Sequence, residues 1–494
     1  MPNATLIPFQ PALPKVLPTI EGNVDYRDFR DQLLWINQTL VVSGLETQLM
    51  EADVARWTAG GKTPSAKAVQ NRELHSRRAL RCNIARWLLG EDYRGFAARL
   101  ADSPLLQFFC AIDELDRVKV PSKSTLQRYD LWWSEDQVRS LNTELIKQGA
   151  AQPQTLHLPE AIDLEHLFMD STCLEVNIHY PVDWVLLRDA TRTLMQSILL
   201  IREQGLKQRM ESPESFLSRI NKLCIQMTHA RGPGDGRKCR KKILRQMDRV
   251  VGVVRAHARR YRDLLDQQWE HTDWTRAQAD QVLKRMDQVL EQLPQARRQA
   301  RQRILEEKPV AHEEKILSLY EPDVQVIVRG KAAAHVEFGN TLLVGENSQG
   351  LIVDWKLFQG RAPSDTDLLP WGVGRMEKAY GQAPKAVAAD RGFDSQANQV
   401  GLESEGIYNG VCPRDPKKLR ERLDSPKFKR LQRRRAQTEG RVAILKNVFM
   451  GGRLLCKGFT ARERTVTWTV LVHNLWVLAR LQREHAQQAK QAAA

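Results

Sequence analysis

The apolar residues of this chain change their spacing twice, and these changes limit the folds that it can adopt. Apolar runs typical of strands occupy residues 166–178 and return at residues 324–358. Between them, residues 183–314 carry four apolar faces at helical spacing, which predicts a small antiparallel helical bundle. Because strands have to pair with one another, the sequence predicts one sheet whose strands are separated in the chain by a long helical insertion.

The charge balance favours a polyanionic partner. The 494 residues include 75 Lys and Arg against 59 Asp and Glu, for a net charge of +16 and a pI near 9.6. An excess of this size points to nucleic acid before a membrane surface. The sequence shows neither a membrane-spanning apolar run nor a signal peptide, and its seven cysteines contain no C-x2-C pair. We therefore expect a soluble cytoplasmic protein in a reducing compartment.

The N-terminal third predicts an arm followed by helices. Residues 1–22 contain five prolines and predict an extended arm. Residues 23–160 carry helical spacing with tight turns and end in a predicted linker at 149–159. Lys123 and Arg128 belong to a short helix with a capped start. Short basic helices occur both in helix-turn-helix DNA-binding units and in all-helical packing domains, and composition leaves both alternatives open.

Asp170 stands within the apolar strand predicted in residues 166–178. A charged side chain in an apolar strand is costly unless it is paired or coordinates a metal ion. The alternative is an aspartate that caps the turn at a strand end, which is a common arrangement.

Asp390 follows a second buried run, residues 386–389, and precedes an Arg-Gly pair. Small residues that lead to an aspartate at the carboxyl end of a strand are the usual setting of a catalytic carboxylate in an open α/β sheet. A turn aspartate before glycine has the same pattern, so both interpretations stay open.

A helix is predicted within residues 431–450, where apolar residues recur at helical spacing. Arg435, Glu439 and Lys446 would then form one polar stripe on its other side. A carboxylate between two cations suits a site that holds a metal ion and the phosphates on which it acts. The alternative is a solvent-exposed face with ordinary i,i+4 ion pairs.

A basic run leads into this helix. Residues 414–435 contain eleven Lys or Arg, including Arg433 and Arg434, against three acids. Such a run is often disordered or merely exposed. Between Asp390 and Glu439 it would contact any DNA that occupied the site.

Together, the DST, ADRGF and helix motifs resemble those of the DDE transposases of bacterial insertion sequences. The branch that fits best carries Tyr-x2-Arg-x3-Glu-x6-Lys on this helix. Its Arg, Glu and Lys are matched by Arg435, Glu439 and Lys446, whereas Gln432 stands in place of the tyrosine.

The resemblance implies an α/β fold with an RNase H-like mixed sheet flanked by helices, an N-terminal all-helical domain and a large helical insertion. The domains implied are an arm at 1–22, a helical DNA-end-binding domain at 23–160, a catalytic domain at 161–182 and 315–481, a helical bundle insertion at 183–314 and a tail at 482–494.

The resemblance also implies the site. Asp170, at the end of the first catalytic strand, would ligate two Mg²⁺ ions together with Asp390 and Glu439, and Mn²⁺ would be able to substitute. The DNA contacts expected are Arg435, Lys446, Arg433, Arg434, Gln432, Lys123 and Arg128.

The activity implied is transposition. The protein would bind the terminal inverted repeats of its element, cleave them and join them to target DNA, as a homodimer in the synaptic complex and without a membrane partner. A nuclease without strand transfer would share the three carboxylates. A catalytically inactive DNA-binding relic is the third alternative.

Overall fold

The computed structural model describes residues 20–59, 64–112, 118–230, 232, 234–328 and 336–493. These residues form the predicted α/β fold, with sixteen α-helices and a mixed sheet of six strands. The predicted arm at residues 1–22 lies almost entirely outside the described residues. None of the described helices is both long enough and apolar enough to cross a lipid bilayer.

Helices alone form the N-terminal part of the described chain. They are α1 (Val24–Val42), α2 (Leu45–Thr58), α3 (Ala66–Leu89), α4 (Tyr93–Asp102), α5 (Pro104–Phe109), α6 (Lys123–Asp130) and α7 (Glu135–Ala151). Gly90 ends α3 in a left-handed conformation, φ +65°, that glycine adopts readily. The apolar faces of these helices share one core with the last helix of the chain, in which Phe96 and Trp468 are fully buried.

The prediction of a linker at residues 149–159 is wrong. Helix α7 continues through Gly149, and a 3₁₀ turn follows at Pro153–Leu156. A Cβ atom on Gly149 would lie 2.3 Å from Ile162 Cδ1, and Leu156 is fully buried. The glycine therefore permits close packing on α7 and does not serve as a flexible joint.

The sheet is built around β1. Its strands are β1 (His166–Glu175), β2 (Gln325–Val328), β3 (Val336–Glu346), β4 (Ile352–Leu357), β5 (Ala386–Ala388) and β6 (Tyr408–Asn409). The order across the sheet is β2-β3-β1-β5-β6, and β4 also pairs with β3. Strand β3 is antiparallel to β1, β2 and β4, whereas β1, β5 and β6 are parallel. The strands predicted at 324–358, including the hairpin of β3 and β4, are confirmed.

Helices follow β4 and cover the sheet. They are α12 (Asp365–Tyr380), α13 (Gln396–Ser404), α14 (Pro416–Arg422), α15 (Pro426–Ile444) and α16 (Phe459–Ala493). The basic run at 414–435 is therefore mostly helical, because Asp415 and Ser425 cap α14 and α15 and a proline follows each cap. Helix α15 begins earlier than predicted and passes into a π-helical segment, Leu445–Phe449.

The prediction of a tail at residues 482–494 is also wrong for the residues that the structure describes there, because α16 continues to Ala493. The side chain of Gln482 is buried at the contact of three elements. Its Nε2 donates to Thr39 Oγ1 at 2.9 Å and to the Leu156 carbonyl at 2.6 Å. The sequence did not reveal this burial, because a glutamine whose polar atoms are hydrogen-bonded inside the protein cannot be distinguished by sequence from the exposed polar residues beside it.

The insertion is the predicted bundle of four helices, α8 (Asp183–Glu203), α9 (Pro213–His229), α10 (Asp235–Gln268) and α11 (Arg276–Ile304). Their buried side chains form a core separate from those of the sheet. Helix α10 begins at Asp235, so the cluster of cations in residues 237–242 is helical. Helix α11 continues through Pro294, and buried Ala296 and Ala300 extend its packed face.

The two ends of the insertion lie together. Asp183, the first residue of α8, is buried and accepts hydrogen bonds from Arg303 Nη1 at 2.9 and 3.1 Å. Gln299 Nε2 donates to the same carboxylate at 2.8 Å. The last turns of α11 are thus fastened to the start of α8, and the chain leaves the bundle close to where it entered.

Candidate active site

Asp170 is the fifth residue of the ten-residue strand β1. Its Oδ1 accepts a hydrogen bond from the Ser171 amide at 2.9 Å. The expectation that Asp170 ends this strand is wrong. Antiparallel pairing with β3 continues past the Asp170–Val344 pair to Glu175, so the backbone beyond the aspartate stays extended.

Asp390 lies just beyond β5 and caps a 3₁₀ turn, Arg391–Phe393. Its Oδ1 accepts a hydrogen bond from the Gly392 amide at 2.8 Å. The last pair of the parallel register is Phe168 with Ala388, and Asp170 and Asp390 each lie two residues beyond it. Because neighbouring strands lie about 4.8 Å apart, the fold brings the segments that carry these two remote aspartates side by side.

A third carboxylate, Asp365, borders the same place and was not predicted from the sequence. It is the first residue of α12, and its Oδ1 accepts a hydrogen bond from Ser171 Oγ at 2.8 Å. A Cβ atom on Gly392 would lie 2.8 Å from Asp365 Oδ2 and 2.9 Å from Asp390 Oδ1. Its sequence signal is only a serine followed by acids, which is the ordinary start of a helix.

Glu439 lies on α15, which crosses the sheet with Leu431 packed against Phe168 and Val442 in the neighbouring core. Its side chain is 65% exposed, and its Oε1 accepts a hydrogen bond from Arg435 Nη1 at 2.9 Å. In the polar stripe predicted on this helix, Arg435 and Glu439 thus form an i,i+4 ion pair. Within the described residues, no three His, Cys, Asp or Glu side chains are grouped so that they could hold a metal ion.

Lys446 lies on the π-helical segment and reaches β1. Its Nζ donates to the Cys173 carbonyl at 2.7 Å and to Thr172 Oγ1 at 3.4 Å. This places a cation beside the strand, two to three residues beyond Asp170. Single turns of π-helix are rare and are often found at functional sites.

Two of the predicted DNA contacts point into the protein. Arg434 Nη2 lies 3.0 Å from Glu346 Oε1, whose side chain is 1% exposed, and its guanidinium packs over the ring of Phe168 at 4.7 Å. Burial lowers the pKa of the Arg434 guanidinium, against the raising effect of Glu346. Gln432 Nε2 donates to the carbonyls of Ala389, at 3.3 Å, and Gly410. Gln432 therefore supports the segment next to Asp390, whereas Arg434 supports the end of β3 and the ring of Phe168 on β1.

The side chains of the remaining predicted DNA contacts differ in how far they are exposed to solvent. Arg433 is exposed on α15, and Lys123 and Arg128 are exposed on α6. Arg128 Nη2 also donates to Thr125 Oγ1 at 3.2 Å. Arg435 is only 17% exposed and is paired with Glu439.

No family model, curated protein or solved structure matches this chain.

Proposed function

We propose that this chain is a DDE-type DNA transposase with an RNase H-like catalytic domain, which cleaves the terminal inverted repeats of a mobile element and joins them to target DNA. The observation that carries the proposal is the parallel pairing of β1 with β5, because Asp170 and Asp390 each lie two residues beyond its last pair, Phe168 with Ala388. Two aspartates that are 220 positions apart in the chain are thus carried by neighbouring segments of one sheet, and Asp390 follows the carboxyl end of its strand, the usual setting of catalytic carboxylates in α/β folds. A mixed sheet covered by helices supports the RNase H-like interpretation.

The donor set suits a hard divalent cation. Asp170, Asp390 and the neighbouring Asp365 offer carboxylate oxygens, which Mg²⁺ prefers. In the proposed site, Asp170, Asp390 and Glu439 would hold two Mg²⁺ ions, for which Glu439 would have to turn away from its bond to Arg435. When bound, two such ions activate a water or a 3′-hydroxyl and stabilise the leaving oxygen.

The cations near the carboxylates receive the DNA backbone. Lys446 Nζ uses one strong hydrogen bond, to the Cys173 carbonyl, and an ammonium group carries three donors. A phosphate beside Asp170 can therefore accept a further hydrogen bond from Lys446. Arg435, released from Glu439, supplies a second cation on the same side of α15.

A second candidate function, the inactive DNA-binding relic, is favoured by one observation. Glu439 is turned to Arg435, and no three metal-binding side chains converge in the described part of the chain. A relic would retain the basic surface and lack the third ligand.

One experiment separates the alternatives. The protein is incubated with Mg²⁺, labelled duplexes of the inverted repeats that flank its gene, and a supercoiled target plasmid. A transposase cuts the repeat end and joins label to the plasmid. A nuclease cuts without joining, and a relic shifts the duplex without cutting it. Absence of cleavage with Mg²⁺ and with Mn²⁺ would overturn the proposal.

A further inference from the structure

A large open cleft lies between the helical insertion and the sheet domain. Its volume is about 1000 Å³. One wall is formed by α8 and α11 of the insertion. The other is formed by the segment that follows β1, by residues 318–323 and by residues 455–458. We call it the insertion cleft.

The insertion cleft carries unbalanced positive charge. Four exposed cations line it: Arg192, Lys284, Arg285 and Lys457. No carboxylate among the described residues forms an ion pair with any of them. The four come from three elements that are remote in the chain, so the tertiary structure gathers them on both walls of one cleft.

The acids of the insertion cleft are already paired. Asp189 Oδ1 accepts from Arg188 Nη2 at 2.8 Å. Glu321 Oε2 lies 2.5 Å from Nη1 of the buried Arg462, and its carboxylate also accepts a hydrogen bond from the Gly458 amide. The third acid, Asp323, lies 4.0 Å from Nη2 of the same arginine, and its Oδ1 accepts a hydrogen bond from Gln359 Nε2 at 2.9 Å. These pairs leave the four exposed cations uncompensated, and a concave site with such an excess attracts a polyanion.

A continuous strip of chain connects the insertion cleft to the candidate active site. The Leu454 amide donates a hydrogen bond to the carbonyl of Glu175, the last residue of β1, at 2.8 Å. The Leu454 carbonyl accepts one from the amide of Asn177, just beyond the strand, at 3.0 Å. Lys446 lies at one end of this strip, and Lys457 lies at the other. From Asp170 to Glu175, the end of β1, the strand rises by about 17 Å, which equals roughly five base pairs of duplex.

The insertion cleft also offers an aromatic ring. Tyr320 is 41% exposed, and its hydroxyl is fixed by Thr193 Oγ1 at 2.6 Å. Leu455, on the same wall of the cleft, is 75% exposed. A fixed ring among cations is the combination with which proteins hold the sugars and bases of nucleic acids beside their phosphates.

We propose that the insertion cleft binds the phosphate backbone of DNA that extends from the candidate active site. The inference rests on the proposed function and adds the surface that holds the DNA beyond the cleavage point. The size of the cleft and the spread of its cations over both walls suit a polymer of phosphates, not a single anion. The helical insertion thereby becomes one wall of a DNA channel.

The test compares two variants of the full chain that lose the same charge. The cleft variant carries Arg192→Gln, Lys284→Gln, Arg285→Gln and Lys457→Gln. The control variant carries Lys207→Gln, Arg209→Gln, Lys222→Gln and Arg245→Gln, which are exposed cations of the same insertion outside the cleft. Affinity for a fluorescent DNA duplex of arbitrary sequence is measured by anisotropy over a series of salt concentrations, and thermal unfolding confirms that both variants are folded.

The cleft variant is expected to lose affinity by about tenfold or more, and its log–log salt slope is expected to fall by up to roughly 3.6, since each phosphate contact contributes about 0.9. The control variant should bind nearly as the wild type does. Equal losses in both variants, or none in the cleft variant, would overturn the cleft proposal and leave the proposed function standing. If the wild type binds no DNA, the proposed function fails with it.

Discussion

Ser171 Oγ donates a 2.8 Å hydrogen bond to Asp365 Oδ1, and this bond ties the residue after Asp170 to the first turn of α12. Asp365 also borders Gly392 together with Asp390. Asp365 therefore lies between the neighbour of Asp170 and the turn that Asp390 caps, and we infer that it is a positioning residue of the proposed site.

Asp365→Asn is expected to lower DNA cleavage by about 10- to 100-fold, the usual effect of losing an outer partner of a metal site, and to raise the Mg²⁺ concentration needed for half-maximal rate. DNA affinity should not change. Ser171→Ala should act in the same direction, and the double variant should be no worse than Asp365→Asn alone. Asp367→Asn, in the same turn of α12, is the control. If the Mg²⁺ dependence of Asp365→Asn equals that of the wild type, the positioning role is wrong.

Replacing Asp170, Asp390 or Glu439 by Ala is expected to abolish cleavage and to leave end binding nearly intact. A metal ligand contributes several kcal/mol of transition-state stabilisation, so the rate should fall by about a hundredfold or more. Asp394→Ala is the control. This carboxylate is near Asp390 in the chain, but both of its oxygens accept hydrogen bonds within the protein, from the Arg414 amide and from Gln399 Nε2, so it is not a predicted metal ligand. Any of the three variants that still cleaves at a rate comparable to the control would not be a ligand.

Arg433 and Arg434 are neighbours in the sequence and should behave differently. Arg434→Ala leaves buried Glu346 with only Arg441 as an ionic partner and is expected to destabilise the fold by about 3 kcal/mol. Arg433→Ala should leave stability unchanged and reduce the salt slope of DNA binding by about 0.9. Urea unfolding and salt-dependent anisotropy on both variants measure the two effects. Equal stability of the two variants would contradict the assignment.

His473 predicts a pH dependence of stability. Its pKa is lowered to about 4, chiefly by burial and to a smaller extent by Arg441 and Arg480, against the raising effect of the hydrogen bond with Asn474. The unfolded chain, in which the pKa is about 6.5, then binds more protons than the folded chain between these two values. Stability should therefore fall as the pH drops from about 6.5 to about 4, by up to about 3 kcal/mol.

Comparing the wild type with His473→Gln by urea unfolding across this pH range isolates the contribution of the histidine. The free energy of unfolding of the variant should fall less steeply than that of the wild type as the pH drops through this range. Parallel stability profiles for the two proteins would show that the folded-state pKa is not depressed.

Residues 183–314 are expected to fold on their own. The bundle has a separate core, and the ion pair between Asp183 and Arg303 closes its two ends. Expressed alone, the segment should give a helical circular dichroism spectrum and a cooperative thermal transition. Replacing it with a short Gly/Ser linker should leave the sheet domain folded and impair pairing of two DNA ends. An unfolded isolated segment would contradict this prediction.

The sequence by itself determined the kinds of elements and their order. The spacing of apolar residues predicted the strands at 166–178 and 324–358 and the four helices between them, because a buried face repeats every two residues in a strand and every 3.6 in a helix. The isolated Asp170 and Asp390 were recognisable because each follows an apolar run. Gly90 marked the end of α3 because few other residues adopt a left-handed conformation.

Only the tertiary structure decided which side chains meet. Pairing of β1 with β5 brings the segments that carry Asp170 and Asp390 side by side, and pairing between remote strands leaves no local signal in the sequence. The direction of each side chain on α15 put Arg434 against Glu346 and left Arg433 in solvent, although the two have the same chemistry. The roles of Asp365 and of the insertion cleft arise from elements far apart in the chain, and their proximity depends on how helices and sheet pack, which composition and periodicity do not encode.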